Sequence, residues 1–269
     1  MAPSNSPAMG SEMSLIEPTV IDLAVTPGAA AGAACALAVH GVAVAVCDVN
    51  GEAACRTVDD ILAGGGRAMA VNMDVTDIVS VTAGFAAAEA ALGPADILVQ
   101  SAGGNERAPG GNEIATMDLA SWDRVIRLNL YGTMHTCRVA AAGMVARGRG
   151  RIIIVGSAAG YRLGAGGGAY AVAKAGMAAF TKILAREVAA SQVTVNSVVP
   201  FFVDTPMLRR QFPDDAALEA EMTTGKLANP MHVVLQVEDQ VEAILYLCRA
   251  SGRYVTGQAL HVNGGSVMP

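Results

Sequence analysis

Short apolar runs alternate with longer helical stretches along almost the whole chain, and this order limits the possible folds. The runs have the length of buried strands and are predicted at Val20–Val25, Val42–Cys47, Ala68–Met73, Ile97–Gln100, Ile152–Val155, Thr194–Val199 and Ala259–Val262. The segments between them have helical spacing: Ala29–His40, Glu52–Ala63, Ile78–Ala91, Ser121–Ala146, Tyr170–Ala190 and Glu238–Cys248. Such alternation gives right-handed crossovers and a doubly wound parallel sheet. We predict one α/β domain over residues 19–269, with about seven strands in a three-layer α/β/α arrangement.

Composition agrees with this class and excludes others. Apolar residues make up 52% of the chain but aromatic residues only 4%, which fits a parallel sheet covered on both faces better than a β-sandwich. No apolar run approaches the roughly 20 residues of a membrane-spanning helix, so no membrane partner is predicted. The net charge is −6 without a run of Lys or Arg, so nucleic acid is not a predicted partner.

Cysteine usage and the first residues bear on compartment. The five cysteines are scattered and lack metal-ligand spacing, so we predict buried reduced thiols and no metal site. Residues 1–18 are rich in Ser, Pro, Asn and Met and have neither a basic start nor an apolar core. They are interpreted as a disordered leader and not as a secretory signal, which makes the cytoplasm the expected location.

Three side chains form a predicted proton-transfer site. Tyr170 and Lys174 are spaced to lie on one face of a helix, one turn apart. A nearby cation favours phenolate and lowers the pKa of tyrosine from about 10, which suits a general acid/base for a carbonyl or alcohol oxygen. Ser157 follows a predicted buried strand, where its hydroxyl can bond the same oxygen. The alternative interpretation is a half-buried Tyr, a solvated Lys and a capping Ser.

The order Asn129, Ser157, Tyr170, Lys174 resembles the short-chain dehydrogenase/reductase family, from about Val20 to the C-terminus. This resemblance implies a Rossmann-like fold and assigns the four residues to a catalytic tetrad. Tyr170 is then the acid/base, and Ser157 orients the carbonyl. Lys174 binds the nicotinamide ribose and tunes Tyr170, while Asn129 supports a water relay.

The resemblance also implies a set of cofactor contacts. Asp48 ends the second predicted strand, where an acid binds the adenosine ribose and repels a 2′-phosphate, so NAD(H) is favoured over NADP(H). The alternative for Asp48 is a turn residue. Asp74 and Val75 resemble an adenine-contacting pair, and Thr205 resembles the residue that binds the carboxamide. The complete predicted set is Thr26, Gly28, Gly32, Asp48, Asp74, Val75, Ser101, Ala102, Gly103, Lys174, Pro200 and Thr205.

The cofactor side of the sequence departs from the family pattern. The first turn lacks one expected glycine, is about three residues short, and has Pro27, which removes a backbone N–H donor. Gln100-Ser101-Ala102-Gly103 replaces Asn-Asn-Ala-Gly, and Phe201 follows Pro200 in place of glycine. Residues 226–236 lack the family's Gly-containing turn, for which the sequence offers no physical reason.

Three hypotheses follow. The first is an NAD(H)-dependent oxidoreductase that interconverts a secondary alcohol and a ketone through Tyr170. The second is an enzyme of this fold without net redox chemistry and with lost or altered cofactor binding, such as a cyclase, isomerase, dehydratase or aldol-type enzyme. The third is a non-catalytic partner subunit. The apolar loop of about residues 201–234 indicates an apolar, medium-sized substrate or simply a lid over the core. Small residues in the helix after Tyr170 favour a homodimer or homotetramer.

Overall fold

The computed structural model describes residues 19–23, 28–105, 111–209, 212 and 214–269. Residues 1–18 and Thr26, for which a leader and a cofactor contact are predicted, lie outside the described residues. A single parallel sheet has the strand order β3-β2-β1-β4-β5-β6-β7. The strands are β1 (Thr19–Leu23), β2 (Ala43–Asp48), β3 (Arg67–Asn72), β4 (Ala95–Gln100), β5 (Gly150–Val155), β6 (Val193–Val198) and β7 (Ala259–Leu260).

Helices connect these strands and cover both faces of the sheet. They are α1 (Ala29–Val39), α2 (Gly51–Ala63), α3 (Ile78–Leu92), α4 (Leu119–Ile126), α5 (Gly132–Arg147), α6 (Gly168–Val188), α7 (Pro206–Arg209), α8 (Asp215–Thr223) and α9 (Val237–Cys248). A π-helical turn, Arg127–Tyr131, joins α4 to α5. None of the described helices is long and apolar enough to cross a membrane.

Alternating side chains of the central strands build two cores. Ile152 and Ile154 of β5 enter one core with α3, α5 and α6, whereas Ile153 and Val155 enter the other with α1, α2 and α9. These strands are buried on both faces, which explains why their sequences are continuously apolar. The predicted doubly wound, three-layer α/β/α fold is confirmed.

The strand order reverses between β1 and β4. β1 pairs with β2 on one side and with β4 on the other, all in parallel. The carboxyl ends of the strands therefore lie at one edge of the sheet, and the reversal opens a crevice there, where ligands bind in folds of this kind. The residues after β2, β4, β5 and β6 lie at this edge.

Most observed elements differ from the predicted ones by one or two residues at an end, and one predicted helix is interrupted. The predicted helix Ser121–Ala146 begins at Leu119, because Asp118 accepts a 2.8 Å hydrogen bond from the Ser121 amide, and it is interrupted by the π turn. The last strand ends at Leu260, not at Val262. Of the cysteines, Cys47, Cys137 and Cys248 are buried, but Cys55 is exposed, so the prediction of buried thiols is wrong for Cys55.

The segment 201–234 has a small core of its own. Leu208, Leu218 and Met222 are buried together, with Phe202, Phe212, Leu227 and Val234 packed against them. Arg209 of α7 joins Asp204 through two hydrogen bonds of 2.6 and 2.5 Å and also pairs with Asp215 of α8. The apolar composition of this segment is therefore explained by internal packing.

Candidate active site

Ser157 and Tyr170 meet at the carboxyl edge of the sheet. The pairing of β5 with β6 continues past the strands, because the Gly156 amide donates to Val198 at 2.8 Å and the Ala158 amide donates to Pro200 at 2.8 Å. This extension holds Ser157 at the strand end in an extended backbone conformation. Its hydroxyl accepts a 3.1 Å hydrogen bond from the Ala159 amide and lies near enough to the Tyr170 hydroxyl to lower the pKa of that phenol. Ser157 thus also has the capping role of the alternative interpretation.

The pKa of Tyr170 shifts in the direction opposite to the prediction. Burial raises the pKa of Tyr170 above its ordinary value, and the hydrogen bond with Ser157 opposes this in part. The prediction that the pKa of Tyr170 is lowered is therefore wrong: desolvation of the phenolate is the largest cause of its shift. A phenol with a raised pKa stays protonated at neutral pH and can donate its proton.

Lys174 is buried beside Tyr170 and is anchored to the sheet. Its Nζ atom lies 5.6 Å from the centroid of the Tyr170 ring and donates a 3.1 Å hydrogen bond to the carbonyl oxygen of Val155. Burial lowers the pKa of Lys174 to about 8. The solvated lysine of the alternative interpretation is thus wrong.

Asn129 lies in the π turn and fixes the segment after β4. Its side-chain nitrogen donates 2.9 Å hydrogen bonds to the carbonyl oxygens of Gly104 and Val125, and its oxygen accepts a 3.2 Å bond from the Gly104 amide. A Cβ atom on Gly103 would lie 2.6 Å from Asn129 Oδ1 and 3.5 Å from Lys174 Nζ. Gly103 is therefore next to the amide and the ammonium, and any larger residue there would displace Asn129.

A buried polar network supports this segment, and the sequence reasoning did not find it. Gln100 is fully buried, and its side-chain nitrogen donates 3.3 Å hydrogen bonds to Thr133 Oγ1 and to the carbonyl oxygen of Ala102. Its oxygen accepts a 3.2 Å bond from Thr136 Oγ1. Thr133 Oγ1 in turn donates to the carbonyl oxygen of Asn129 at 2.7 Å. A glutamine at the end of an apolar strand was the available signal.

Gly28 and Gly32 have different surroundings. Gly28 is the N-cap residue of α1 and forms no side-chain cap there. Gly32 packs against the helix α9, where a Cβ atom would lie 2.9 Å from Val237 Cγ1 and 2.9 Å from Val241 Cγ2. Gly32 is thus needed for close helix packing, which is one of the roles that glycine has in such turns.

Three predicted adenosine contacts lie after β2 and β3. Asp48 ends β2, and Oδ1 of its partly exposed carboxylate accepts a 2.8 Å hydrogen bond from the Asn50 amide. Asp74 Oδ1 accepts bonds of 2.8 Å from both the amide and the hydroxyl of Thr76. Val75 is buried, and a Cβ atom on Gly132 would lie 2.7 Å from its Cγ2 atom. Asp74 and Val75 therefore also stabilise the turn into α3 and the packing on α5.

The remaining predicted contacts lie after β4 and β6. Ser101 is partly buried and Ala102 is buried, both directly after Gln100. Pro200 lies after β6, and its carbonyl oxygen accepts a hydrogen bond from the Ala158 amide in the segment after β5. Thr205 precedes α7, and its carbonyl oxygen accepts a 2.9 Å bond from the Arg209 amide. These residues lie at the same sheet edge as Ser157.

Phe201 packs against an aromatic ring and a guanidinium group. Its ring meets the Phe202 ring edge to face, with centroids 4.6 Å apart. The Arg162 guanidinium lies over the same ring, with Cζ 4.9 Å from the centroid. The bulky residue in place of glycine is therefore accommodated by an aromatic neighbour and a cation.

Asn229 explains the unusual segment 226–236. It is buried, its nitrogen donates a 2.7 Å hydrogen bond to the Val233 carbonyl, and its oxygen accepts a 3.1 Å bond from the Met231 amide. A Cβ atom on Gly264 would lie 2.4 Å from Asn229 Oδ1. The amide side chain thus closes this turn and joins it to the C-terminal segment.

The residues at this edge suit a nicotinamide dinucleotide. Gly103 leaves room between Asn129 and Lys174, whose ammonium group is a donor for ribose hydroxyls. Asp48 places a carboxylate at the end of β2, and the uncapped first turn of α1 offers amides to phosphate. Residues 24–27, which include Pro27, lie outside the described residues.

Comparisons with known proteins agree with this geometry. Residues 24–267 match a family model described as enoyl-(acyl carrier protein) reductase. The chain is 34% identical to the 3-oxoacyl-(acyl-carrier-protein) reductase FabG of Vibrio harveyi, over 91% of this chain and 97% of that protein. It is 37% identical to cis-4-hydroxycyclohexanecarboxylate dehydrogenase of Sinomonas cyclohexanicum, over 90% and 95%.

A solved structure is also similar. It is a 7α-hydroxysteroid dehydrogenase complexed with NADH and 7-oxo glycochenodeoxycholic acid, with a TM-score of 0.83 and 29% identity, covering 94% of this chain and 95% of that one. The family model and the relatives each span most of the chain, and the relatives are named as reductases or dehydrogenases. The chain therefore belongs to the short-chain dehydrogenase/reductase family of oxidoreductases.

Proposed function

We propose that this protein is an NAD(H)-dependent oxidoreductase that interconverts a secondary alcohol and a ketone. The observation that carries the proposal is the partly buried Tyr170 phenol, which lies next to Ser157 at the ligand-binding edge of the sheet and is flanked by Lys174. Two of the similar proteins support the reaction class. One is named for a cyclohexane carboxylate with a secondary hydroxyl group, and the other is bound to a 7-oxo steroid acid.

Each residue has a defined task in this proposal. The hydroxyls of Ser157 and Tyr170 bind the substrate oxygen, and Tyr170 donates its proton to that oxygen during reduction or removes it during oxidation. A bound nicotinamide supplies or accepts the hydride. Lys174 binds the ribose, and Asn129 holds the segment containing Gly103 beside it. The raised pKa of Tyr170 favours the protonated form and hence the role of donor.

Asp48 supports NAD(H) over NADP(H). Its carboxylate ends β2 and is partly exposed, so it can accept bonds from ribose hydroxyls and repel a 2′-phosphate. The NADH in the solved structure of a similar protein supports the same preference. Asp48→Asn should reduce the preference, whereas Asp59→Asn, an exposed acid in α2, is the matched control.

The assembly proposed is a homodimer or homotetramer. Several exposed apolar side chains lie on α4 and α6, with exposed fractions of 78% for Leu119, 44% for Val172 and 58% for Ile183. Burial of such side chains in a subunit interface stabilises an oligomer. The predicted apolar substrate has weaker support, because the apolar residues of segment 201–234 pack against each other.

The second candidate is an enzyme of this fold without net redox chemistry. The shortened first turn, which lacks one expected glycine, and Phe201 in place of glycine favour it. Tyr170, Ser157 and Lys174 could then enolise or dehydrate a carbonyl compound. This candidate requires the same phenol but no nicotinamide.

Calorimetric titration with NADH and NADPH tests the proposal. We expect submillimolar NADH affinity, at least tenfold weaker NADPH affinity, and a smaller difference in Asp48→Asn but not in Asp59→Asn. Ketone reduction is then followed by loss of NADH absorbance. If neither nucleotide binds at millimolar concentration, the second candidate replaces the first. Tighter binding of NADPH would overturn the assignment of Asp48.

A further inference from the structure

Arg162 is fixed close to Ser157 by the turn that follows β5. The carbonyl oxygen of Ala158 accepts hydrogen bonds from the Tyr161 amide at 3.0 Å and the Arg162 amide at 2.8 Å. A Cβ atom on Gly160 would lie 2.7 Å from the backbone carbon of Lys174. The turn therefore packs directly on the part of α6 that carries the catalytic tyrosine and lysine.

The guanidinium of Arg162 is directed along the sheet edge towards the end of β6. Its Cζ atom lies 4.9 Å from the centroid of the Phe201 ring. Phe201 follows Pro200, and the carbonyl oxygen of Pro200 accepts a hydrogen bond from the Ala158 amide. The ring of Phe202 supports Phe201 from the side. Because a guanidinium stacked on an aromatic face loses little further freedom on binding, its N–H donors are preorganised.

Arg162 also lacks an acidic partner among the described residues. Arg147, Arg149 and Arg209 each pair there with a carboxylate, whereas no described carboxylate lies within ion-pair distance of Arg162. Planar guanidinium groups bind carboxylates through two parallel hydrogen bonds. A preorganised cation without a counter-ion in the described part of the chain, one turn from Ser157, is suited to hold an anionic group of the substrate.

We propose that Arg162 is a specificity-determining residue that binds a carboxylate of the substrate, while the carbonyl group of the same molecule binds Ser157 and Tyr170. The inference rests on the proposed function and extends it by naming the substrate class, a keto acid or hydroxy acid. Phe201 is the residue that positions Arg162, which gives a reason for the aromatic side chain at a place where the family has glycine.

A matched pair of ketones tests the proposal. The probes are 4-oxocyclohexanecarboxylate and its neutral analogue 4-oxocyclohexanecarboxamide, with kcat/KM measured at saturating NADH. We expect wild type to prefer the acid by at least tenfold. Arg162→Gln should lower kcat/KM for the acid by at least tenfold and change that for the amide by less than twofold. Arg162→Lys keeps the charge but not the planar fork, so we expect an intermediate loss.

A second arginine provides the control. Arg253 lies over the Tyr254 ring with Cζ 4.7 Å from the centroid, in the segment before β7. Arg253→Gln removes an equivalent stacked cation and should leave kcat/KM for both ketones unchanged. Unchanged NADH affinity in Arg162→Gln excludes an effect through the cofactor phosphates.

The outcomes separate this proposal from the proposed function. Equal loss for acid and amide in Arg162→Gln, or no preference for the acid in wild type, overturns the role of Arg162 but leaves the oxidoreductase in place. If neither ketone is reduced, calorimetric binding of the two probes decides. Acid binding that depends on Arg162 then supports the anion site without the redox function, and absence of acid binding overturns the site.

Discussion

The Nζ atom of Lys174 lies 5.6 Å from the centroid of the Tyr170 ring and is held there by a hydrogen bond to the Val155 carbonyl oxygen. The anchor on β5 keeps the ammonium beside the phenol. Lys174 is buried and Tyr170 is partly buried, and desolvation raises the pKa of Tyr170 and lowers that of Lys174. Burial therefore favours the neutral form of each group.

Tyr170→Phe should abolish turnover without affecting cofactor binding. The variant removes the hydroxyl that lies next to Ser157 and is proposed to transfer the proton, a contribution that is typically about 10² to 10⁴ in rate. We expect kcat for ketone reduction to fall by at least about 10²-fold, with NADH affinity unchanged in calorimetry. Tyr246→Phe, on α9, is the control. Retained activity in Tyr170→Phe would remove both enzymatic hypotheses.

The buried charge of Lys174 should make stability depend on pH. The pKa of Lys174 is lowered to about 8 in the folded protein from 10.5, so between these values the unfolded chain binds a proton that the native protein has released. Stability relative to Lys174→Met should therefore rise from pH 8 to 10.5, by about 3 kcal/mol at most. Chemical denaturation across this pH range measures it.

The exposed Lys182, also on α6, provides the comparison. Lys182→Met should show no such change relative to wild type across the same pH range. A difference between wild type and Lys174→Met that stays constant with pH would mean that Lys174 titrates alike in the folded and unfolded protein. The burial cost assigned to its charge would then be wrong.

Gly32→Ala should destabilise the fold by about 1–3 kcal/mol. The new methyl group would lie 2.9 Å from both Val237 Cγ1 and Val241 Cγ2, which forces α1 and α9 apart. Denaturant unfolding measures the loss, and Val241→Ala in the same chain should restore part of it. Gly143→Ala on α5 meets only the end of the Arg147 side chain and serves as control. Loss of NADH affinity with unchanged stability would instead assign Gly32 to the cofactor.

The sequence predicts the sheet and the meeting of Ser157 with Tyr170 for a clear reason. A strand buried on both faces needs a continuous apolar run, as in Ile152–Val155, and parallel strands bring their carboxyl ends to one edge. The observed β5 begins earlier, at Gly150, because Gly150 pairs with Val193 of β6. The residue at which a strand begins or ends depends on its pairing with the neighbouring strand and not on the local pattern of apolar residues.

Other features depend on contacts between distant parts of the chain. The π turn occurs at Asn129, whose side chain bonds Gly104 in the segment after β4, and helical spacing alone does not predict it. The pKa of Tyr170 is raised because the phenol is desolvated in the folded protein. The spacing of tyrosine and lysine in the sequence does not reveal this desolvation. The contact of Arg162 with Phe201 joins segments after two different strands.

Gln100 should prove to be a positioning residue for the segment that contains Gly103. Gln100→Leu removes the donor to Ala102 and the acceptor for Thr136, at a cost of about 1–3 kcal/mol for unpaired buried groups. We expect lower stability together with lower kcat, since Asn129 and Lys174 pack against this segment. Gln100→Asn introduces the residue found in the family, which is one methylene shorter, and should retain only part of the stability and part of the kcat. Exposed Gln258→Leu is the control, and a loss of stability with unchanged kcat would limit Gln100 to a structural role.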